Sequence, residues 1–308
     1  MSILERRSTT LARSTATPSL AADLLTLTKP RITAFVALAA FVGAALGAPR
    51  DVSLVQCAWA GFLVMLCSAG ASAFNQTLER DIDRAMDRTR HRPVPTERVS
   101  VRDAILLATL LGGAGVVGLA LFCNLLAALL ALATLFTYVA VYTPLKRYST
   151  LNTVIGALPG AAPPLVGYVA TAETIGEWAW ALFAVLFVWQ FPHFLAIAWL
   201  FRADYAKAGL KMLPSMPGGE RVAGRSAFLY SLVLLPVSLG PSVIGIAGTT
   251  YLAGALVAGL AYAGASAWFA VRSTTTSART LLVVSLFYLP VLFACVLLDP
   301  FVRERIFG

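Results

Sequence analysis

Residues 104–143 read AILLATLLGGAGVVGLALF, then Cys123-Asn124, then LLAALLALATLFTYVAVYT, without one Asp, Glu, Lys or Arg. About 20 predominantly apolar residues suffice to cross the hydrocarbon layer of a bilayer. Only helices and closed barrels satisfy every backbone polar group there. Both runs are continuous rather than alternating in polarity, so each predicts a membrane-spanning helix and not a barrel strand. Similar runs flank this pair, and the nine together cover about 32–49, 54–74, 104–122, 125–143, 153–171, 178–200, 227–247, 250–271 and 281–298. The chain of 308 residues is 58% hydrophobic and 13% charged. Its mean hydropathy of +0.78 puts it outside the range of soluble domains. The fold class read from these numbers is all-α: a polytopic membrane bundle of about nine transmembrane helices around a cavity open to the cytoplasmic side. Within the fifth run, Pro163-Pro164 predicts a kink or an interruption.

The formal charge of +9 is compatible with nucleic-acid binding, but a bilayer gives it another meaning. Cytoplasmic loops are enriched in Lys and Arg. With the N-terminus inside, 21 of the 24 basic residues fall in cytoplasmic segments, leaving Arg50, Arg303 and Arg305 outside. The partition sets the orientation and calls for no nucleic acid. Residues 1–25, rich in Ser, Thr, Arg and Ala with no apolar signal core, read as a disordered cytoplasmic tail. Residues 26–308 form one intramembrane domain. Cys57, Cys67, Cys123 and Cys295 all lie in apolar runs without metal-ligand spacing and read as packing residues.

Polar residues concentrate on the inside. Six of the 15 acids lie between 79 and 103. The densest stretch is Asn75-Gln-Thr-Leu-Glu79-Arg-Asp81-Ile-Asp83-Arg-Ala-Met-Asp87-Arg88-Thr-Arg90-His-Arg92-Pro93. Asn75, Glu79 and Asp83 recur every fourth position, which puts their oxygens on one helix face about 6 Å apart per step. A row of this kind suits Mg2+, which takes a few protein oxygens and completes its shell with water and phosphate. Arg88 and Arg92 are spaced to grip the same anion. A solvated juxtamembrane helix with alternating charges accounts for the spacing equally well. Lys146 and Arg147 in Tyr142-Thr-Pro-Leu-Lys146-Arg147-Tyr-Ser-Thr-Leu-Asn152 supply further cations for phosphate, or serve only as a topology signal. Gln190 and His193 in Trp189-Gln-Phe-Pro-His193-Phe sit inside a span, where polar groups are expensive and mark function or an interhelix hydrogen bond.

Together these segments, with Leu27-Thr28-Lys29-Pro30-Arg31 and Asp204-Tyr-Ala-Lys-Ala-Gly-Leu-Lys-Met-Leu-Pro214, resemble the UbiA superfamily of intramembrane prenyltransferases over nearly the whole chain. The His193 segment resembles its heme-modifying branch. The superfamily's first acidic motif, Asn-x-x-x-Asp-x-x-x-Asp, falls on Asn75, Glu79 and Asp83. Glu79 departs from the usual Asp, which leaves Asp81 and Asp87 open as alternative ligands. Of the second acidic motif only Asp204 remains.

The resemblance implies an enzyme of the bacterial inner membrane that moves the farnesyl group of farnesyl diphosphate to the vinyl group of heme B, giving heme O. It implies Mg2+ on Asn75, Glu79 and Asp83, with Lys146 and His193 joining them in catalysis. Substrate contacts are implied for Arg88, Arg92, Tyr142, Lys146, Arg147, Asn152, Gln190 and Asp204. Iron ligation by His193 is a further option. Hand-over of product to a heme A synthase is the implied partnership besides the lipid bilayer. Two rivals stand beside this reading: prenylation of an aromatic acid or quinone precursor, and transport. Transport calls for intramembrane charges and inverted repeats, neither of which the sequence displays.

Overall fold

The computed structural model describes residues 18–307. Among them the elements are α1 (Leu20–Thr28), α2 (Pro30–Gly47), α3 (Leu54–Leu78), α4 (Arg80–Ala85), α5 (Val101–Phe122), α6 (Leu125–Phe136), a π-helical segment Thr137–Tyr142, the single turn α7 (Thr143–Leu145) and α8 (Asn152–Ala172). They continue with α9 (Glu177–Leu200), α10 (Arg202–Lys207), a 3-10 turn Leu213–Ser215, α11 (Gly219–Val243), α12 (Thr249–Arg272), α13 (Thr275–Leu298) and α14 (Pro300–Phe307). Nine helices among the described residues are long and apolar enough to cross a membrane, with the sixth helix extended through Leu145. They match the nine apolar runs one for one.

The helix starts are written in the sequence. Ser53 and Thr274 form capping boxes with Gln56 and Ser277, and Ser100 and Asn124 cap α5 and α6. Buried Asp299 accepts from the backbone N–H groups of Gly248, Tyr251, Phe301 and Val302, tying the starts of α12 and α14 together. Without water in the bilayer, helix association rests on close packing of small residues. A side chain on Gly43 of α2 would fall on the Pro164 carbonyl of α8, and one on Gly167 of α8 would fall on the Ala40 carbonyl of α2. The two backbones touch along this seam.

Two expectations need correction. Of the kink or interruption expected at Pro163-Pro164, the interruption does not occur: α8 runs unbroken from Asn152 to Ala172 with Pro159, Pro163 and Pro164 inside it. A broken helix in hydrocarbon would strand backbone groups that no water can satisfy, whereas a helix packed tightly against α2 loses only the few bonds proline removes. The tail reading is also too long. Residues 1–17 lie outside the described residues, but from Leu20 the chain is helical, capped by Ser19 and anchored by an ion pair of buried Asp23 with half-buried Arg98 at 2.9 Å.

Candidate active site

α3 ends at Leu78 and α4 begins at Arg80, so the acidic row crosses a bend and not a straight helix. Glu79 is the pivot, at φ −95° and ψ 10°. Backbone bonds from Glu79 to Asn75 (3.0 Å) and from Asp83 to Glu79 (2.7 Å) nevertheless keep the four-residue period, and all three side chains line one cavity of about 490 Å³. Three other stretches converge on it. Thr26, Lys29 and Ile32 come from the α1–α2 junction, Tyr138, Tyr142, Lys146, Asn152 and Thr153 from the π segment to α8, and Phe194, Ile197, Tyr205, Leu210 and Met212 from α9 and the turns after it. Arg88 and Arg92 complete the wall.

Each oxygen donor of the row meets one cation. Lys29 Nζ donates to Asn75 Oδ1 at 3.4 Å, Lys146 Nζ to Glu79 Oε1 at 2.8 Å, and Arg92 Nη1 to Asp83 Oδ2 at 2.8 Å. Asn75 in turn donates to the Thr143 hydroxyl at 3.2 Å. Lys146 Nζ also lies over the Tyr142 ring, 4.5 Å from its centre. Burial pushes the Asp83 carboxyl above its ordinary range, further than Arg92 pulls it back. Burial, with Arg92 and Lys146 nearby, pulls Lys29 down to about 7. Burial opposes the charge of Lys146 too, but the tyrosines and Glu79 more than reverse this and hold its ammonium high. These shifts describe a cavity short of an anion for Lys29 and of a cation for Asp83.

Whether Mg2+ fits can be judged from the oxygens. Asp83 Oδ1 and Gln76 Oε1 are buried with no hydrogen-bond partner, and both residues line the cavity. An orphaned buried carboxylate oxygen is costly unless a cation completes it. Among the described residues no cluster of three His, Cys, Asp or Glu could enclose a metal alone. Two carboxylates and an amide, Glu79, Asp83 and Asn75, are oxygen donors of the kind a hard ion takes before water and phosphate complete its shell. Asp81 and Asp87 are exposed and paired with Arg80, Arg84, Arg90 and Lys207, so Glu79 is the acid of this group that faces the cavity with Asp83.

The remaining expected residues divide. Tyr142 lines the cavity, and buried Asn152 does so while donating to the Ser149 and Lys211 carbonyls, which pins the α7–α8 loop to the segment after α10. Arg88 lies over the Phe201 ring at 4.6 Å and donates to the Tyr205 hydroxyl. Asp204 accepts from the Arg88 backbone at 3.4 Å and does not line the cavity, a place taken by its neighbour Tyr205. Arg147 is exposed on the loop and is absent from the cavity wall. Gln190 is buried against α8, donating to the Ala157 carbonyl at 2.8 Å, so it locks helices together. His193 points to Ser285 of α13, apart from the acidic row.

Lys29 is the residue whose cavity role spacing alone does not reveal. Pro30 denies it the ordinary helical conformation, and it adopts φ 50° and ψ 62° between α1 and α2. The signal in the sequence is a Lys-Pro step between two helices.

Ile32, Tyr138, Tyr142 and Phe194 also border a second chamber of about 270 Å³. Its wall includes Val36, Val64, Ala131, Leu135, Pro163 and Val166, and it is mostly apolar. A polar mouth with a greasy extension fits an amphiphile with an anionic head.

A model of the UbiA prenyltransferase family matches residues 36–294. The chain is 38% identical over 286 residues to the protoheme IX farnesyltransferase of Solibacter usitatus, covering 90% of this chain and 98% of that one. It is 39% identical over 298 residues to the protein of that name from Myxococcus xanthus, covering 95% and 99%. Among solved structures, a digeranylgeranylglyceryl phosphate synthase superposes with a TM-score of 0.74 at 17% identity over 92% of this chain and 98% of the other. A UbiA homolog from Archaeoglobus fulgidus bound to GPP and Mg2+ gives 0.63 at 19% identity, covering 89% and 99%. With nine apolar spans and a family match over most of its length, the chain is an integral multi-pass membrane protein and belongs to the UbiA prenyltransferase family.

Proposed function

We propose that the chain transfers the farnesyl group of farnesyl diphosphate to a vinyl group of heme B, forming heme O. The observation that carries the prenyl half is the joining of the cationic, oxygen-lined mouth to the apolar chamber through Ile32, Tyr138, Tyr142 and Phe194. The acceptor half is supported by relatives named for protoheme IX at 37–46% identity.

In this reading Lys29, Arg88, Arg92 and Lys146 bind the diphosphate. As the C1–O bond breaks, its electron pair leaves with the diphosphate, and preorganised cations around that group stabilise the charge that develops. Asn75, Glu79 and Asp83 would hold Mg2+, which when bound neutralises part of the diphosphate's charge. The walls of the apolar chamber exclude water from the allylic cation until the vinyl π pair attacks it and forms the C–C bond. Water then adds to the carbon left cationic and loses a proton, giving the hydroxyl group. Tyr138 and Tyr142 stand at the junction of mouth and chamber, where the reacting carbon would lie.

The finer setting belongs to the same proposal. The basic residues support an N-terminus in the cytoplasm, and a bacterial inner membrane as the home of a single domain from Leu20 onward belongs to the same reading. The farnesylated product partitions into lipid, which favours direct hand-over to a heme A synthase. The test is release of diphosphate from farnesyl diphosphate by the purified protein. Release that requires heme B supports the reading, whereas release driven by a phenolic acid in its place would contradict it.

A further inference from the structure

The apolar chamber has an end as well as a mouth. Gly156 of α8 lies against the Tyr142 ring at the junction, and the wall then descends α8 through Pro159, Gly160 and Pro163 to Val166. At about 1.5 Å per residue, that descent is about 15 Å. Val64 of α3 and Ala131 of α6 are the lowest wall residues of their own helices. Val64, Ala131 and Val166 are 5%, 3% and 2% exposed, so lipid and water are both shut out at this level.

Below this level the helices close on one another. Val64, Ala131 and Val166, with Cys67, also belong to a close-packed core that continues into Ala40, Ala60, Ala127 and Val169. The residue after Val166 is Gly167, where an added side chain would fall on the Ala40 carbonyl of α2. On α5, a side chain on Gly115 or Gly118 would collide with Leu63, the neighbour of Val64. An interior packed in this way yields little to even one extra methylene. The other end is fixed too, because Lys29, Arg88, Arg92 and Lys146 surround the mouth.

With carbon–carbon bonds of about 1.5 Å, an extended farnesyl chain reaches about 14 Å. Resting on the reading that farnesyl diphosphate is the donor, we propose that Val64, Ala131 and Val166 form a closed floor that measures the donor's chain and admits none longer than farnesyl. A donor with one further isoprene unit is about 5 Å longer. It either drives its tail into the packed core or lifts its diphosphate from the cations. In both cases the allylic carbon leaves the junction at Tyr138 and Tyr142, so transfer slows although the same bond breaks and the same bond forms. A shorter donor enters but leaves the floor uncovered, which forfeits its contacts there.

The test gives the purified full-length protein heme B with geranyl, farnesyl or geranylgeranyl diphosphate and compares kcat/KM for prenyl transfer by mass spectrometry of the heme. Wild type is expected to use farnesyl diphosphate at least about tenfold better than geranylgeranyl diphosphate. Val64→Ala combined with Val166→Ala removes nearly as many carbons as one isoprene unit holds, and should move that ratio at least about tenfold toward the longer donor. Ala131→Leu raises the floor and should move the preference from farnesyl toward geranyl by a similar factor. Each comparison is a ratio within one preparation, so a loss of folded protein cancels. Equal use of farnesyl and geranylgeranyl diphosphates by wild type overturns the closed floor while leaving farnesyl transfer to heme intact, and so does an unchanged ratio in either variant. Failure of wild type to prenylate heme B with any of these donors overturns the floor and the proposed reaction together.

Discussion

Asp83 is the side chain on which the chemistry of the cavity turns. One of its oxygens is paired with Arg92 and the other is buried without a partner, so an amide in its place keeps the shape and removes the charge. Asp83→Asn is expected to abolish turnover, by at least about 100-fold, while the protein still folds into the membrane. Steady-state rates alongside a thermal melt in detergent check this, and retention of most activity would remove the metal site from the account. Glu79→Asp withdraws the carboxylate from Lys146 by one methylene, a gap that the long flexible lysine arm can follow. It is expected to keep activity within about tenfold of wild type, and complete loss would mean that the longer arm is required. Lys146→Met strands the Glu79 carboxylate in a buried position. Breaking a buried pair in this way costs about 3 kcal/mol, so this variant should lower the melting temperature as well as the rate. Some of this was legible beforehand. The four-residue period of Asn75, Glu79 and Asp83 was readable from spacing, and the three side chains line one cavity. The separation of His193 from Lys146 was not readable, because a sequence does not say which face of a span meets which neighbour.

Among the elements, α2 and α8 matter most, because they carry Lys29, Ile32, Asn152 and Gly156 to the site on a seam too tight for side chains. Gly167→Val is expected to force the pair apart, costing about 1–3 kcal/mol and reducing activity with it. Thermal melting and farnesyl transfer measured on one preparation check both effects, and a normal melt would show that the seam can relax. The seam also explains why Pro163-Pro164 does not interrupt α8. Proline's effect on a helix is local, whereas the gain from keeping α8 whole comes from its neighbour. The bend at Glu79 and the π segment before Lys146 were equally hidden, since both keep the apolar pattern while turning polar side chains inward.

At the scale of the whole molecule, composition alone was enough for nine spans, because the bilayer punishes any other arrangement of such runs. Its orientation follows from the basic residues and can be checked by cysteine labelling in a background lacking the four native cysteines. Tyr148→Cys should react with a membrane-impermeant reagent only after the cell is opened, and Thr250→Cys should react in intact cells. The reverse pattern would invert the protein. The acceptor is the part that no single helix encodes. The most direct measurement is mass spectrometry of the heme recovered after incubating the purified protein with farnesyl diphosphate and heme B. The account predicts the farnesylated, hydrated product with Mg2+ and wild type, and none with a chelator or with Asp83→Asn. Equal yields of that product from wild type and Asp83→Asn would contradict it.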